Sequence, residues 1–153
     1  MIYLYTGGYV LSNGTGGWGF LIRGCGENDY QYWGGVVGKH TQTSMELQSV
    51  IEALLDIERL GLESAVCICT ANDNLILGLT KLIKDRSSKF PQHTEQWSTI
   101  AQLMKKHFIL TARLTKGDRR VRMCTDLAKD SACDVRHSKV LISKRKVTSH
   151  AAV

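Results

Sequence analysis

After Met1 the first acidic residue of this chain is Glu27, so the opening stretch MIYLYTGGYV holds no carboxylate to offer a metal ion or an acid–base reaction. Proline is nearly missing: the one copy, Pro91, sits in DRSSKFPQH and interrupts the helical spacing around it. No apolar run approaches the ~20 residues that a membrane-spanning helix needs, which argues against a membrane partner. The N-terminus lacks the basic segment of a secretion signal and reads as a strand. The five cysteines are an odd number without framework spacing. Reduced thiols and a cytoplasmic location are therefore expected. Cys67 and Cys69 lie two apart in a strand-like run and share a face. No histidine stands near them, so buried thiols are expected in place of a metal site. Internal repeats and a second domain are also missing.

What is present describes one domain. A chain of 153 residues can bury a sizeable core. Its 43% apolar and 22% charged residues are ordinary for a globular protein. The formal charge of +6 is concentrated at the C-terminal end. Residues 131–153 carry Arg136, Lys139, Lys144, Arg145 and Lys146 against Asp134 alone. A modestly basic body with a basic tail suits a polyanion, or an acidic protein partner docked by the tail.

Periodicity gives a βββαβα order. MIYLYT alternates as a first strand, LSNGTGGWGF turns the chain, and Gly19 to Arg23 begins a second strand. Residues 30–37 supply a third. Thr43 or Ser44 can cap the helix that follows, and Gly61 marks its end. Met45, Leu47, Val50, Ile51, Leu54 and Leu55 form its apolar stripe. SAVCICT reads as a strand buried on both faces. Helical spacing resumes from Asn72 to Lys84 and again from Thr94 to His107. A strand at FILTARL and a short helix around Val121 to Lys129 complete the order. Trp18, Trp97 and Trp33 are expected in the core.

Several segments, in this order, resemble type 1 ribonuclease H. YTGGYVLSNGTGGWGF is similar to the family's first hairpin, and KHTQTSMELQSVIEAL to the entry of its central helix. ICTANDNL resembles the end of the fourth strand, where the family reads Thr-Asp-Ser. EQWSTIAQLMKKHFIL, TKGD and MCTDLAK resemble the last helix–strand pair, the loop after it and the final helix. The resemblance implies an α/β ribonuclease H-like fold: a five-stranded mixed sheet in the order 3-2-1-4-5 with helices on both faces. It spans residues 1–130, leaving 131–153 as a basic C-terminal tail.

Family members hydrolyse the RNA strand of an RNA/DNA hybrid with two magnesium ions held by four carboxylates, the ions ~3.5–4 Å apart. Only Glu46 is retained here. Gly7 and Ala71 stand where two aspartates are expected. An ungapped alignment puts Thr125 at the last position and Cys124 on a small residue, and is preferred. A one-residue deletion would instead place Asp126 there. The expectation is a protein without cofactor and without hybrid cleavage, magnesium entering only if displaced ligands such as Asp73 or Asp118 rebuild the site. Asp73 lies near a helix start, where capping is the ordinary role.

The resemblance also marks a substrate-facing surface. Asn13 occupies the turn that meets the hybrid's minor groove, and Gln42 and Thr43 stand near the family's backbone-contacting asparagines. Lys84 and Lys89 lie where some members carry a basic handle. Lys116, Arg119, Arg120, Lys144, Arg145 and Lys146 extend the cationic set. Phosphate binding needs only such donors, so it can outlast catalysis. Three readings follow: a non-cleaving binder of hybrid or duplex, a protein-interaction module on the same scaffold, and an active nuclease with relocated metals.

Overall fold

A computed structural model describes residues 1–25, 28–106, 108–134 and 145–148. Three strands, β1 (Ile2–Val10), β2 (Gly16–Cys25) and β3 (Asn28–Val36), pair antiparallel in sequence. Helix α1 (Gln42–Arg59) then carries the chain across, so β4 (Ala65–Thr70) lies parallel to β1. Helices α2 (Asp73–Lys84) and α3 (Thr94–Met104) precede β5 (Phe108–Leu114), parallel to β4, and α4 (Arg119–Cys133) follows. The order 3-2-1-4-5 expected from the sequence is present. A short strand, β6 (Arg145–Thr148), extends it beyond β3.

Most of the core lies between the sheet and α1, α2 and α3, where Leu47, Val50 and Leu54 of α1 meet Leu4, Phe20, Ile22 and Ile68 of the strands. The expected stripe on α1 needs one correction. Leu55 is 43% exposed, because it lies ~100° further round the helix than Leu54. Thr41, not Thr43 or Ser44, caps α1, accepting a hydrogen bond from the Ser44 amide at 3.1 Å. A capping oxygen reaches only the second or third helical amide, so the polar first turn, not the apolar entry, sets the start. At the other end Gly61 takes a left-handed φ of 67°. The Gly61 and Leu62 amides return to Glu58 and Ile57 carbonyls at 3.0 and 3.2 Å, closing the helix.

The opposite face carries α4 alone, laid across β1, β2 and β3 on a trough of glycines. A Cβ added at Gly7 or Gly19 would stand 2.5 or 2.7 Å from the backbone of Thr125 or Cys124. One added at Gly17 or Gly35 would meet the Ala128 or Ser131 carbonyl more closely still. The helix answers with the small buried residues Cys124, Ala128, Ser131 and Ala132, spaced along one side. This contact explains why α4 runs to Cys133, past the expected end near Lys129 and past residue 130. Trp33 also departs from expectation. It is half-buried, and Tyr32, one position earlier and on the other face, takes the core place. Trp18 and Trp97 are buried as expected.

Leu54 is fully buried, so Leu54→Ala should cost roughly 2–5 kcal/mol in urea unfolding. Leu55→Ala should cost about 1 kcal/mol or less by the same measurement.

Candidate functional site

The α1 entry, the middle of β1 and the α4 backbone meet at one point. Gly8 packs so closely on α1 that a Cβ there would lie 2.6 Å from the Glu46 amide nitrogen. Gly7, facing the other way, abuts Thr125. Tyr5 and Cys69 are paired across β1 and β4; Gly7 lies two residues further along β1, and Ala71 follows directly on the end of β4 at Thr70. Gly7 thus abuts Thr125 on one face of the sheet, and its neighbour Gly8 abuts Glu46 on the other. Of the two alternatives on α4, Thr125 is the residue against Gly7, while Asp126 is exposed.

Glu46 is the acid at this point, and it is 7% exposed. Its Oε1 accepts a hydrogen bond from the Gln42 side-chain amide at 3.1 Å, and Oε2 has no hydrogen-bond partner among the described residues. Burial raises its pKa to about 7, opposed by the Gln42 amide and the Gly8 backbone. At neutral pH the group therefore carries a proton about half the time. The Asn72 side chain accepts from the Leu75 amide at 3.0 Å as the cap of α2. Asp73 pairs with Lys116 at 2.8 Å. Asp118 caps α4 through the Arg120 amide at 2.7 Å. Among the described residues no group of three or more His, Cys, Asp or Glu is placed to hold a metal ion. Cys67 and Cys69 share a buried face, their sulfurs 4.0 Å apart. Burial, with the neighbouring Cys67, pushes the Cys69 thiol up to about 12.

The polar set divides into engaged and open groups. Asn13 is exposed, and its Oδ1 accepts from the Thr15 amide at 3.0 Å, leaving the side-chain NH2 for a ligand. Gln42 is committed differently, because its amide nitrogen donates to Gly8 O at 2.6 Å as well as to Glu46. Only its carbonyl can serve a ligand. Lys84, Lys89 and Arg119 are exposed. Lys116 is neutralised by Asp73, and Arg120 lies over the Tyr5 ring at 5.2 Å while pairing with Asp118 at 3.8 Å. Arg145 and Lys146 fall in β6, opposite Gln31 and Tyr30. Lys144 lies outside the described residues.

Thr43 lines a groove that sequence reading did not find. Its walls are Gly78 and Lys81 of α2, Phe90 and His93 of the connecting loop, and Trp97 of α3. Phe90 stacks on Trp97 with centroids 4.3 Å apart, and Lys81 lies 5.0 Å above the Phe90 ring. His93 takes a left-handed φ of 53° as α3 begins. The lone proline beside Phe90 was the available signal, but it announced only a break.

This arrangement defines a ribonuclease H-like protein. No protein-family model matches the chain. Ribonuclease HI of Neisseria meningitidis serogroup B is 31% identical over 115 residues, which cover 69% of this chain and 76% of that protein. Ribonuclease H of Coxiella burnetii is 31% identical over 119 residues, covering 72% and 74%. The crystal structure of LC11-RNase H1 in complex with RNA/DNA hybrid superposes with a TM-score of 0.74 at 18% identity, covering 89% of this chain and 99% of that one. LC9-RNase H1, a type 1 enzyme with the type 2 active-site motif, gives 0.72 at 21% identity, covering 97% and 77%. The chain belongs to the ribonuclease HI family.

Two outcomes follow from the packing. Gly7→Asp should not create a metal site. Its side chain would meet the α4 backbone, costing ~1–3 kcal/mol in thermal or urea unfolding. Glu46 supplies a pH dependence. Because its folded pKa of about 7 lies above the ordinary 4.5, its proton favours the folded state below pH 4.5, and this contribution is lost as pH rises through 7. Urea unfolding at pH 5 and pH 8.5 should show wild type losing on the order of 3 kcal/mol relative to Glu46→Gln.

Proposed function

We propose that this protein is a ribonuclease H-like nucleic-acid binder that holds RNA/DNA hybrid or duplex without cleaving it. The observation carrying this reading is the pairing of Gly7 with Thr125 beside a single buried acid, Glu46. A two-metal centre needs several carboxylates to offset two divalent ions. One glutamate with Gly7 and Thr125 beside it supplies too few carboxylate oxygens for a magnesium pair, and this reading includes no hydrolytic step. The protein needs no cofactor in this reading.

Support for a nucleic-acid ligand comes from kinship and from the open donors. A fold neighbour is described in complex with RNA/DNA hybrid. Asn13 retains its amide NH2 on the exposed hairpin turn, while Lys84, Lys89 and Arg119 are exposed cations. Thr43 and Lys81 stand on the aromatic groove. Phosphate contacts of this kind position a duplex without reading its sequence. The tail cations Lys144, Arg145 and Lys146 add long-range attraction. The cysteine set, free at Cys67, Cys69, Cys124 and Cys133, suits a reducing cytoplasm. No helix among the described residues is long and apolar enough to cross a membrane.

A gel shift with labelled hybrid, followed by incubation in magnesium and then manganese, tests the reading. Retention of the hybrid with no cleavage is expected, and affinity should fall steeply with salt. Replacing Lys144, Arg145 and Lys146 together should weaken binding across all sequences and flatten the salt slope. Asn13→Ala should instead reduce any preference for hybrid over DNA duplex and leave the slope nearly intact. Magnesium-dependent cutting that disappears in Glu46→Gln would overturn the non-cleaving part. Failure of hybrid, duplex and single strand to bind below roughly 10 μM at low salt would overturn the whole, since even non-specific contacts reach that range.

A further inference from the structure

A second cleft lies beside the C-terminal half of α1, over β2 and β3. Glu52 and Asp56 stand six and ten residues beyond Glu46 in the sequence, so they lie ~9 and ~15 Å further along the helix axis. The cleft encloses about 210 Å³. Its floor is an aromatic ladder in which Trp18 stacks on Phe20 and Phe20 on Tyr32, with centroids 6.0 and 5.4 Å apart. Its rim is Glu52, Leu55, Asp56 and Arg59. Asp56 is buried and paired with Arg59, which leaves Glu52 as the carboxylate that gives this apolar cleft its net negative charge and disfavours a phosphate backbone there.

The chain itself displays the chemistry that this wall accepts. The Arg59 guanidinium pairs with the buried Asp56 and lies 5.3 Å over the Tyr32 ring. A planar cation is thus held on an aromatic face with a carboxylate at its edge. Glu52 repeats half of that arrangement. It is half-buried, accepts the Gln48 amide at 3.0 Å and makes no ion pair among the described residues. Burial raises its pKa, opposed by the Gln48 amide and by the Arg59 charge nearby, which is itself paired with Asp56. Leu55, 43% exposed, supplies an apolar shoulder beside it.

We propose that this cleft docks an arginine-bearing segment of a partner protein, its guanidinium meeting Glu52 and an adjacent apolar side chain resting on Leu55. The partner is a protein because the shoulder rewards an apolar neighbour that a simple polyamine lacks, and because the Glu52 carboxylate repels nucleic acid. The inference does not depend on what the opposite end of α1 binds.

The test uses the full chain and a fluorescein-labelled peptide, Ala-Leu-Arg-Leu-Ala, against the same peptide with citrulline in place of arginine. Citrulline keeps the shape and removes the charge. Wild type should bind the arginine peptide about tenfold more tightly, the scale of one charge-assisted hydrogen-bonded pair. Glu52→Gln should erase that difference, with melting temperature confirming an intact fold. Leu55→Ser should weaken both peptides. Equal affinity for the two peptides in wild type, or full retention of the preference in Glu52→Gln, would overturn the proposal. So would self-association lost in Glu52→Gln without peptide binding, which would give the cleft to a second copy of the chain.

Discussion

The close seating of α4 on the glycine trough is the contact from which the rest of the molecule takes its shape. Helices ordinarily stand off a sheet by the length of their side chains. Here Gly7, Gly17, Gly19 and Gly35 remove that length from three strands, and Cys124, Ala128 and Ala132 remove it from the helix. Backbone then approaches backbone, and dispersion contacts replace bulky interdigitation. The same seating governs the chemistry. A side chain at position 7 would press on the α4 backbone at Thr125, so any larger residue there must push the helix outward. On the other face Gly8 allows α1 to approach in the same way, and Ser49 ties it down by donating to the Gly19 carbonyl at 2.6 Å.

Electrostatics follow from that geometry. Glu46 is enclosed by β1 and α1, and among the described residues its side-chain donor is Gln42, an amide without charge. Enclosure without a counter-charge is what raises its pKa. The cationic surface is likewise less open than a residue count suggests. Lys116 and Arg120 spend their charge on Asp73 and Asp118, and Lys106 pairs with Glu58 at 3.1 Å. Exposed pairs of this kind contribute little to stability, yet they still lower the local field felt by a polyanion.

How much of this was legible depended on whether a residue left a periodic or chemical trace. The strand order and α1 were readable because Leu47, Val50, Ile51 and Leu54 recur at helical spacing and SAVCICT is continuously apolar. The length of α4 was not, since Ala128, Ser131 and Ala132 bury backbone more than side chain and carry no apolar signal. Tyr32 and Trp33 differ by one position, and alternation in an aromatic pair does not say which one faces the core. β6 is written in lysine, arginine and threonine, residues that announce solvent. At the candidate site, Gly7 and Ala71 were visible as departures from a pattern. Gln42 was misleading: polar and exposed, it nevertheless spends its donor on Gly8 and Glu46, which only coordinates reveal. The groove at Phe90 and Trp97 also needs Thr43 and Lys81, and the cleft at Glu52 and Leu55 also needs Trp18, Phe20 and Tyr32, so both join segments that lie far apart in the sequence.

The added strand has a consequence for how molecules of this kind meet one another. A sheet with two bare edges can polymerise, each copy offering one edge and receiving the other. β6 pairs with β3 on its inner side, so among the described residues the two edges are β5 and β6. β6 is four residues long, and it lies along Asn28 to Gln31 of the nine-residue β3. A short edge strand that contains Arg145 and Lys146 is a poor template for another chain, because a copy laid against it brings like charges together. The basic tail thereby blunts the β3 side of the sheet as a place where copies could join strand to strand.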